Sequence, residues 1–143
     1  MSQNLPDRTV VGLAVDDDAL IRMDVVATLE DAGFVAVEAA NADEAVSFLI
    51  GHHHETVVLF TDVDMPGSMD GFGLARRVAA SWPHIDILVA SGRRKPDPGD
   101  MPEKAVFVNK PFGPEVVIAR LHELLPDHKK PASLLRINRP SQG

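Results

Sequence analysis

The stretch Thr9-Val10-Val11-Gly12-Leu13-Ala14-Val15-Asp16-Asp17-Asp18 decides the architecture of this chain. Its apolar part runs without clean alternation, as a strand covered on both faces does, and it stops abruptly at three acids. Behind the acids, Ile21, Val25, Leu29 and Ala32 recur at helical spacing, and Gly33 stands where a helix C-cap belongs. The unit is strand, acidic turn, helix.

The same unit recurs outward from there. Residues 34–38 form a second short apolar segment, Asn41 can cap a helix running to Ile50, and residues 56–61 are strand-like through Val57, Val58, Leu59 and Phe60. The turn-rich residues 62–71 lead into a helix over 72–82 that Pro83 ends, and residues 85–90 read as a fourth strand closed by Ser91 and Gly92. Residues 105–108 make a fifth. Pro114 then stands at a helix start before the apolar stripe Val117, Leu121, Leu124 and Leu125. Alternation of this kind predicts an α/β fold, a doubly wound parallel five-stranded sheet with right-handed crossovers and helices on both faces. Residues 93–103 carry Pro96, Pro98, Gly99 and Pro102, so a loop or one short turn is expected where a fourth helix would stand.

The predicted domain covers residues 9–125, after an N-terminal tail of residues 1–8. Beyond it, residues 126–143 set Lys129, Lys130, Arg136 and Arg139 against Asp127 and contain Pro131 and Pro140. They read as a basic, mostly disordered tail outside the domain. The 143 residues are 45% apolar and 24% charged, the balance of one globular core. A net charge of −7 argues against wrapping nucleic acid or anionic membrane, so direct DNA binding is not expected. Absence of cysteine excludes disulfides, thiolate metal sites and thiol catalysis. Residues 1–8 are polar, and no apolar run reaches the length of a membrane span, so a cytoplasmic protein without membrane insertion is expected.

In doubly wound sheets, ligands sit at the carboxyl ends of the strands. Asp16, Asp17, Asp62, Ser91 and Lys110 each follow a predicted strand and therefore share that address. Carboxylates gathered there repel one another unless a cation joins them, and oxygen-only ligands favour Mg²⁺ over zinc. Because Mg²⁺ recruits phosphate oxygens, the site points to phosphoryl chemistry. Lys and Ser would bind transferred oxygens, and an Asp would act as nucleophile, forming an acyl phosphate.

Taken in order, these residues resemble the signature of a response-regulator receiver domain over residues 10–125. The acidic pair is Asp16-Asp17, and Asp62 is followed by Met65-Pro66 and Asp70-Gly71. Ser91 and Lys110-Pro111-Phe112 complete the set. The resemblance implies a flavodoxin-like (βα)5 fold with strand order 2-1-3-4-5. It implies that Asp62 accepts phosphate from a histidine kinase or histidine phosphotransfer protein, with Mg²⁺ (or Mn²⁺) as cofactor. Asp17 and Asp62 would ligate the metal, Asp16 would orient a metal-bound water, and Asp64 would offer its backbone carbonyl. Ser91 and Lys110 would bind the phosphoryl group, and Phe107 matches an aromatic switch position whose ring turns inward when Ser91 moves. With no DNA-binding or enzymatic segment following Leu125, a single-domain regulator acting through an unknown downstream protein is expected, with phosphotransfer and autodephosphorylation chemistry but no enzyme activity in the ordinary sense. The turn at residues 65–71 has one residue more than the family's usual spacing.

Two other readings stay open. Asp62-Val63-Asp64 is an Asp-x-Asp after a strand, as in haloacid-dehalogenase-like phosphatases, although those place it after the first strand. The chain could also be an interaction module indifferent to phosphorylation. Asp18, Asp43 and Glu44 read as stabilisers of helix N-termini, and His52-His53-His54 reads as a solvated loop at a helix end.

Overall fold

β1 (Val11–Val15) is buried along its whole length, and its neighbours explain why. The structure, a computed structural model, describes residues 10–137; Thr9, the expected tail 1–8 and residues 138–143 lie outside the described residues. β1 pairs in parallel with β2 (Val35–Ala39) on one side and β3 (Thr56–Asp62) on the other. β4 (Asp86–Ser91) and β5 (Val106–Asn109) complete a five-stranded sheet of order β2-β1-β3-β4-β5. Leu13 and Val15 face a cluster containing Leu49 of α2 (Ala42–His52) and Leu74, Ala75 and Val78 of α3 (Gly71–Ser81). Ala14 faces the opposite cluster, with Val25 and Leu29 of α1 (Ala19–Asp31) and Val117 and Leu121 of α4 (Pro114–Leu124). An unbroken apolar run is what two such layers require.

The helix ends follow from side-chain chemistry. Asp18 caps α1, its Oδ1 accepting from the N–H groups of Leu20 at 2.9 Å and Ile21 at 3.2 Å. Asn41 and Asp70 cap α2 and α3 in the same way. α1 closes at Gly33, whose φ of +101° suits a residue without Cβ; its N–H donates to Glu30 O at 2.9 Å and that of Phe34 to Leu29 O at 3.0 Å. Phe34 is therefore part of the helix cap, which is why β2 begins one residue later than its apolar pattern suggests. Ile85 and Ala105 are held likewise in turns by Trp82 O and Pro102 O, so β4 and β5 each start one residue late.

Residues 92–105 contain no helix. The expected loop is built from turns, with the Asp97 N–H donating to Asp100 Oδ2 at 2.8 Å and the Asp100 N–H to Asp97 O at 3.0 Å.

The segment after Pro126 departs from the expected disordered tail. A 3-10 turn (Asp127–Lys129) and a short helix α5 (Ala132–Arg136) return to the domain, and Leu134 is fully buried in the cluster that holds Leu29 and Leu125. Lys129 Nζ donates to His84 O at 2.7 Å and Asp86 Oδ2 at 3.1 Å. One buried leucine and two bonds from Lys129, to the His84 carbonyl and the Asp86 carboxylate, decide its place, and neither net charge nor proline content carries that signal. Among the described residues, no helix is long and apolar enough to cross a membrane.

Candidate phosphoryl-transfer site

Because all strand pairs are parallel, the carboxyl ends of β1, β3, β4 and β5 share one edge of the sheet. Asp16 follows β1, Asp62 ends β3, and Lys110 follows β5, its N–H donating to Ser91 O at 3.0 Å. Lys110 Nζ reaches back between the acids, 2.7 Å from Asp62 Oδ1 and 3.3 Å from Asp16 Oδ2. Asp16, Asp17 and Asp62 each place a carboxylate oxygen within 4.8 Å of the others; Asp16 and Asp62 are buried and Asp17 is exposed. The Lys110–Pro111 peptide is cis.

Backbone contacts hold this arrangement. Asp16 Oδ1 accepts the Asp18 N–H at 2.9 Å, and Arg22 Nη1 donates to Asp16 O at 2.7 Å. Gly71 at the start of α3 donates its N–H to Val63 O at 2.9 Å, and a Cβ there would collide with the Asp62 carbonyl oxygen. Only glycine lets α3 begin against the backbone of Asp62.

Burial is the largest influence on Asp62 and pushes its carboxyl above the ordinary range; the Lys110 hydrogen bond opposes this and the Asp16 charge adds to it. Asp16 is raised for the same reason, against the pull of the Asp18 N–H and Lys110. For Lys110, burial disfavours the charge, but the bonds and charges of Asp62 and Asp16 together outweigh it and hold its pKa above the usual lysine value. Three carboxylates thus face one ammonium, and the two buried ones resist ionisation. Oxygen donors in this state fit a hard divalent cation, which would relieve the repulsion Lys110 relieves only in part. This carboxylate triad is able to coordinate a divalent metal.

The remaining predicted residues lie around this cluster. Ser91 is buried at the end of β4, and its Oγ accepts the Arg94 N–H at 3.1 Å. The Asp64 carboxylate is exposed and pairs with Arg94 Nε at 3.3 Å. Phe107 is half-buried on β5, opposite Val89, and packs on the cluster shared with α2 and α3. Among the described residues, no side-chain hydrogen bond joins Ser91, Asp64 or Phe107 to the Asp16, Asp17, Asp62 and Lys110 group. Arg94 went unnoticed in the sequence. Its guanidinium also bonds Asp70 Oδ2 at 2.7 Å and lies 5.5 Å from the Phe72 ring centroid, so it joins the β4–β5 loop to the β3–α3 turn. Nothing in its proline-rich surroundings marks it, because the side chains its guanidinium meets, Asp64, Asp70 and Phe72, lie 22 residues away or more in the chain.

Residues 13–122 match the family described as response regulator receiver domain. The chain is similar to the phosphate regulon transcriptional regulatory protein PhoB of Pseudomonas aeruginosa, with 32% identity over 118 residues that cover 79% of this chain and 50% of PhoB. It is also similar to the solved chemotaxis protein CheY4 of Vibrio cholerae, at 30% identity and a TM-score of 0.71, covering 82% of this chain and 99% of that one. The receiver domain protein of Methanospirillum hungatei superposes with a TM-score of 0.72 at 21% identity, over 85% of this chain and 96% of that one, a likeness of fold. The chain spans half or less of the length of such curated relatives. The acid pair after β1 and the Asp that ends β3 follow the receiver order, whereas the phosphatase alternative puts its nucleophile after the first strand.

Proposed function

The chain belongs to the response regulator receiver domain family, and on that premise we propose that Asp62 accepts a phosphoryl group from a phosphohistidine of a histidine kinase or histidine phosphotransfer protein. The observation that carries this reading is the Asp62 carboxylate at the sheet edge, bonded by Lys110 at 2.7 Å and flanked by Asp16 and Asp17. Asp16, Asp17, Asp62 and the Asp64 backbone carbonyl would hold Mg²⁺ or Mn²⁺, which when bound supplies charge neutralisation for the phosphoryl oxygens. Asp16 would hold the ion through an intervening water.

A carboxylate oxygen of Asp62 attacks phosphorus. The O–P bond forms as the N–P bond breaks, and the departing imidazole takes its proton from solvent. Lys110 then pairs with a phosphoryl oxygen in place of the Asp62 carboxylate, and the Ser91 hydroxyl turns from the Arg94 N–H to donate to another. Phe107 turns inward into the space Ser91 leaves. Addition of water to phosphorus breaks the O–P bond, releases inorganic phosphate and restores Asp62. The signal leaves through a protein surface that differs between the two states, since a switch requires a partner with differential affinity.

Intact-protein mass after incubation with Mg²⁺ and acetyl phosphate tests this reading. One labile phosphoryl adduct is expected on the wild-type chain and none on Asp62→Asn. Absence of any adduct in rapidly quenched samples, with acetyl phosphate and with a phosphorylated kinase donor, would overturn it.

A further inference from the structure

The three carboxylates at the sheet edge are not held alike. Asp16 takes the Asp18 N–H and Lys110, and Asp62 takes Lys110. Asp17 is exposed, and among the described residues no hydrogen bond or ion pair holds its carboxylate, yet one of its oxygens lies within 4.8 Å of those of Asp16 and Asp62. Its direction is therefore set by the backbone that carries it.

That backbone is fixed from outside the turn. The Asp16 N–H donates to Ala39 O at 3.2 Å, which ties the residue to the end of β2. A peptide unit is planar, so holding the Asp16 carbonyl oxygen as well fixes the plane of the peptide bond that enters Asp17. Arg22, in the first turn of α1, holds that oxygen through Nη1 at 2.7 Å. Its Nε donates to Glu38 Oε1 at 2.8 Å, and Glu38 stands on β2 opposite Ala14 of β1. The Arg22 side chain is only 17% exposed. A planar guanidinium bonded through two nitrogens has little freedom, so the fork ties α1 and β2 to the one peptide unit between the two acids.

We infer that Arg22 is a positioning residue for the cation site: through the Asp16 carbonyl it holds the peptide plane that aims the Asp17 carboxylate toward Asp16 and Asp62, and Glu38 holds Arg22. The inference rests on the reading of these three carboxylates as a divalent-cation site. It also runs against simple electrostatics. A guanidinium beside the carboxylates repels an incoming cation, so a role through charge alone requires that loss of Arg22 tighten binding. A role through position requires that its loss weaken binding. The two effects have opposite signs.

Titration of Mn²⁺ into the full chain, with the free ion followed by its paramagnetic resonance signal and no phosphodonor present, separates them. Wild type should bind one equivalent. Loss of a group that orients metal ligands weakens affinity about 10–100-fold, so Arg22→Met should bind roughly tenfold more weakly, still with one equivalent. Arg22→Lys, which keeps the charge and one donor, should recover part of the loss, and Glu38→Gln, which keeps an acceptor for Nε, should bind nearly as wild type does. Arg120→Met, which removes a cation from the α4 pair with Glu123, should leave affinity unchanged. Thermal midpoints in EDTA and in Mn²⁺ distinguish positioning from a merely structural role. Positioning makes the rise on adding Mn²⁺ smaller in Arg22→Met than in wild type, whereas a structural role lowers the EDTA midpoint and leaves the rise unchanged. The inference is overturned if Arg22→Met binds Mn²⁺ as tightly as wild type or more tightly, or if its Mn²⁺-induced rise equals that of wild type. Failure of wild type itself to bind Mn²⁺ overturns the cation reading of the triad, and the role of Arg22 with it.

Discussion

Replacing Lys110 by Met removes the ammonium bonded to both buried carboxylates, at 2.7 Å from Asp62 and 3.3 Å from Asp16, while keeping most of the aliphatic stem. Removing one partner of a fully buried ion pair costs about 3–5 kcal/mol. The Lys110 side chain is 20% exposed, so water screens part of the loss, and about 2–3 kcal/mol is expected in the metal-free protein at pH 7. Asp62→Asn removes the same ion pair with a different outcome. It removes a carboxylate whose ionised form the fold disfavours and leaves Lys110 its bond to Asp16, so stability should change by less than about 0.5 kcal/mol or rise. Urea denaturation in EDTA measures both, and Mg²⁺ should restore a larger share of stability to Lys110→Met than it adds to wild type. The pH dependence has a definite sign. An acid whose folded pKa is raised stabilises the fold below its unfolded pKa, about 3.9 for Asp, and that contribution is lost as pH rises through the folded value. Without Lys110, Asp16 and Asp62 rise further, so the deficit of the variant should shrink as pH falls from 7 toward the ordinary Asp value. Equal destabilisation by Lys110→Met and Asp62→Asn, or a deficit indifferent to pH, would refute this account of the charge balance.

Leu134→Ala should cost about 2–5 kcal/mol in the same urea assay, because the side chain is fully buried, while Leu135→Ala, 49% exposed, should stay within about 0.5 kcal/mol. A silent Leu134→Ala would return residues 126–137 to the status of a tail. Gly71→Ala drives a methyl into the Asp62 carbonyl, so the thermal midpoint and the yield of phosphoryl adduct should fall together; a normal adduct yield would show that the acceptor tolerates displacement. Mg²⁺ should raise the thermal midpoint less at pH 5 than at pH 7, since protons compete for Asp16 and Asp62 at a pH where ordinary carboxylates are already ionised.

The fold was legible because its signals are local. Strand β1 stops at Asp16, Asn41 and Asp70 cap helices, and Pro83 and Pro114 mark helix ends, all within a few residues of the structure they cause. The boundaries that shifted did so where the backbone of an apolar residue was claimed by a neighbouring turn, as with Phe34 and Ile85, and hydrophobicity alone does not reveal that. The convergence of Asp16, Asp62 and Lys110 was legible from one topological rule, that parallel strands bring their carboxyl ends together. What escaped depended on contacts between distant segments. Leu134 finds its cluster across the whole domain, His84 finds His53 31 residues away, and Arg94 finds Asp70 24 residues away. A lone leucine in a basic segment or a lone arginine among prolines has no periodicity to announce it.

Arg94 shows how the loop that replaces a helix is tied down. Prolines at 96, 98 and 102 remove the N–H donors a helix would need, so the segment cannot hold itself by an internal ladder. It is anchored instead by single bonds to neighbouring elements: Arg94 to Asp64 and Asp70, Arg76 Nη1 to Asp100 O at 2.7 Å, and Lys95 Nζ to Asn109 Oδ1 at 2.9 Å. Asp70 has two tasks, since Oδ1 caps α3 through the Gly73 N–H while Oδ2 takes Arg94. Burial would raise its pKa, yet the Gly73 N–H and Arg94 together hold it below the ordinary range. That linkage stabilises the fold above the unfolded Asp pKa and is lost as pH falls through the lower folded value, the reverse of Asp16 and Asp62. The rim of the site is thus most secure where Asp70 is fully ionised, and its floor, with Asp16 and Asp62, is least secure there. A cation held by Asp16, Asp17 and Asp62 would remove this opposition, so that metal binding and loop anchoring would stabilise the same edge of the sheet in the same pH range.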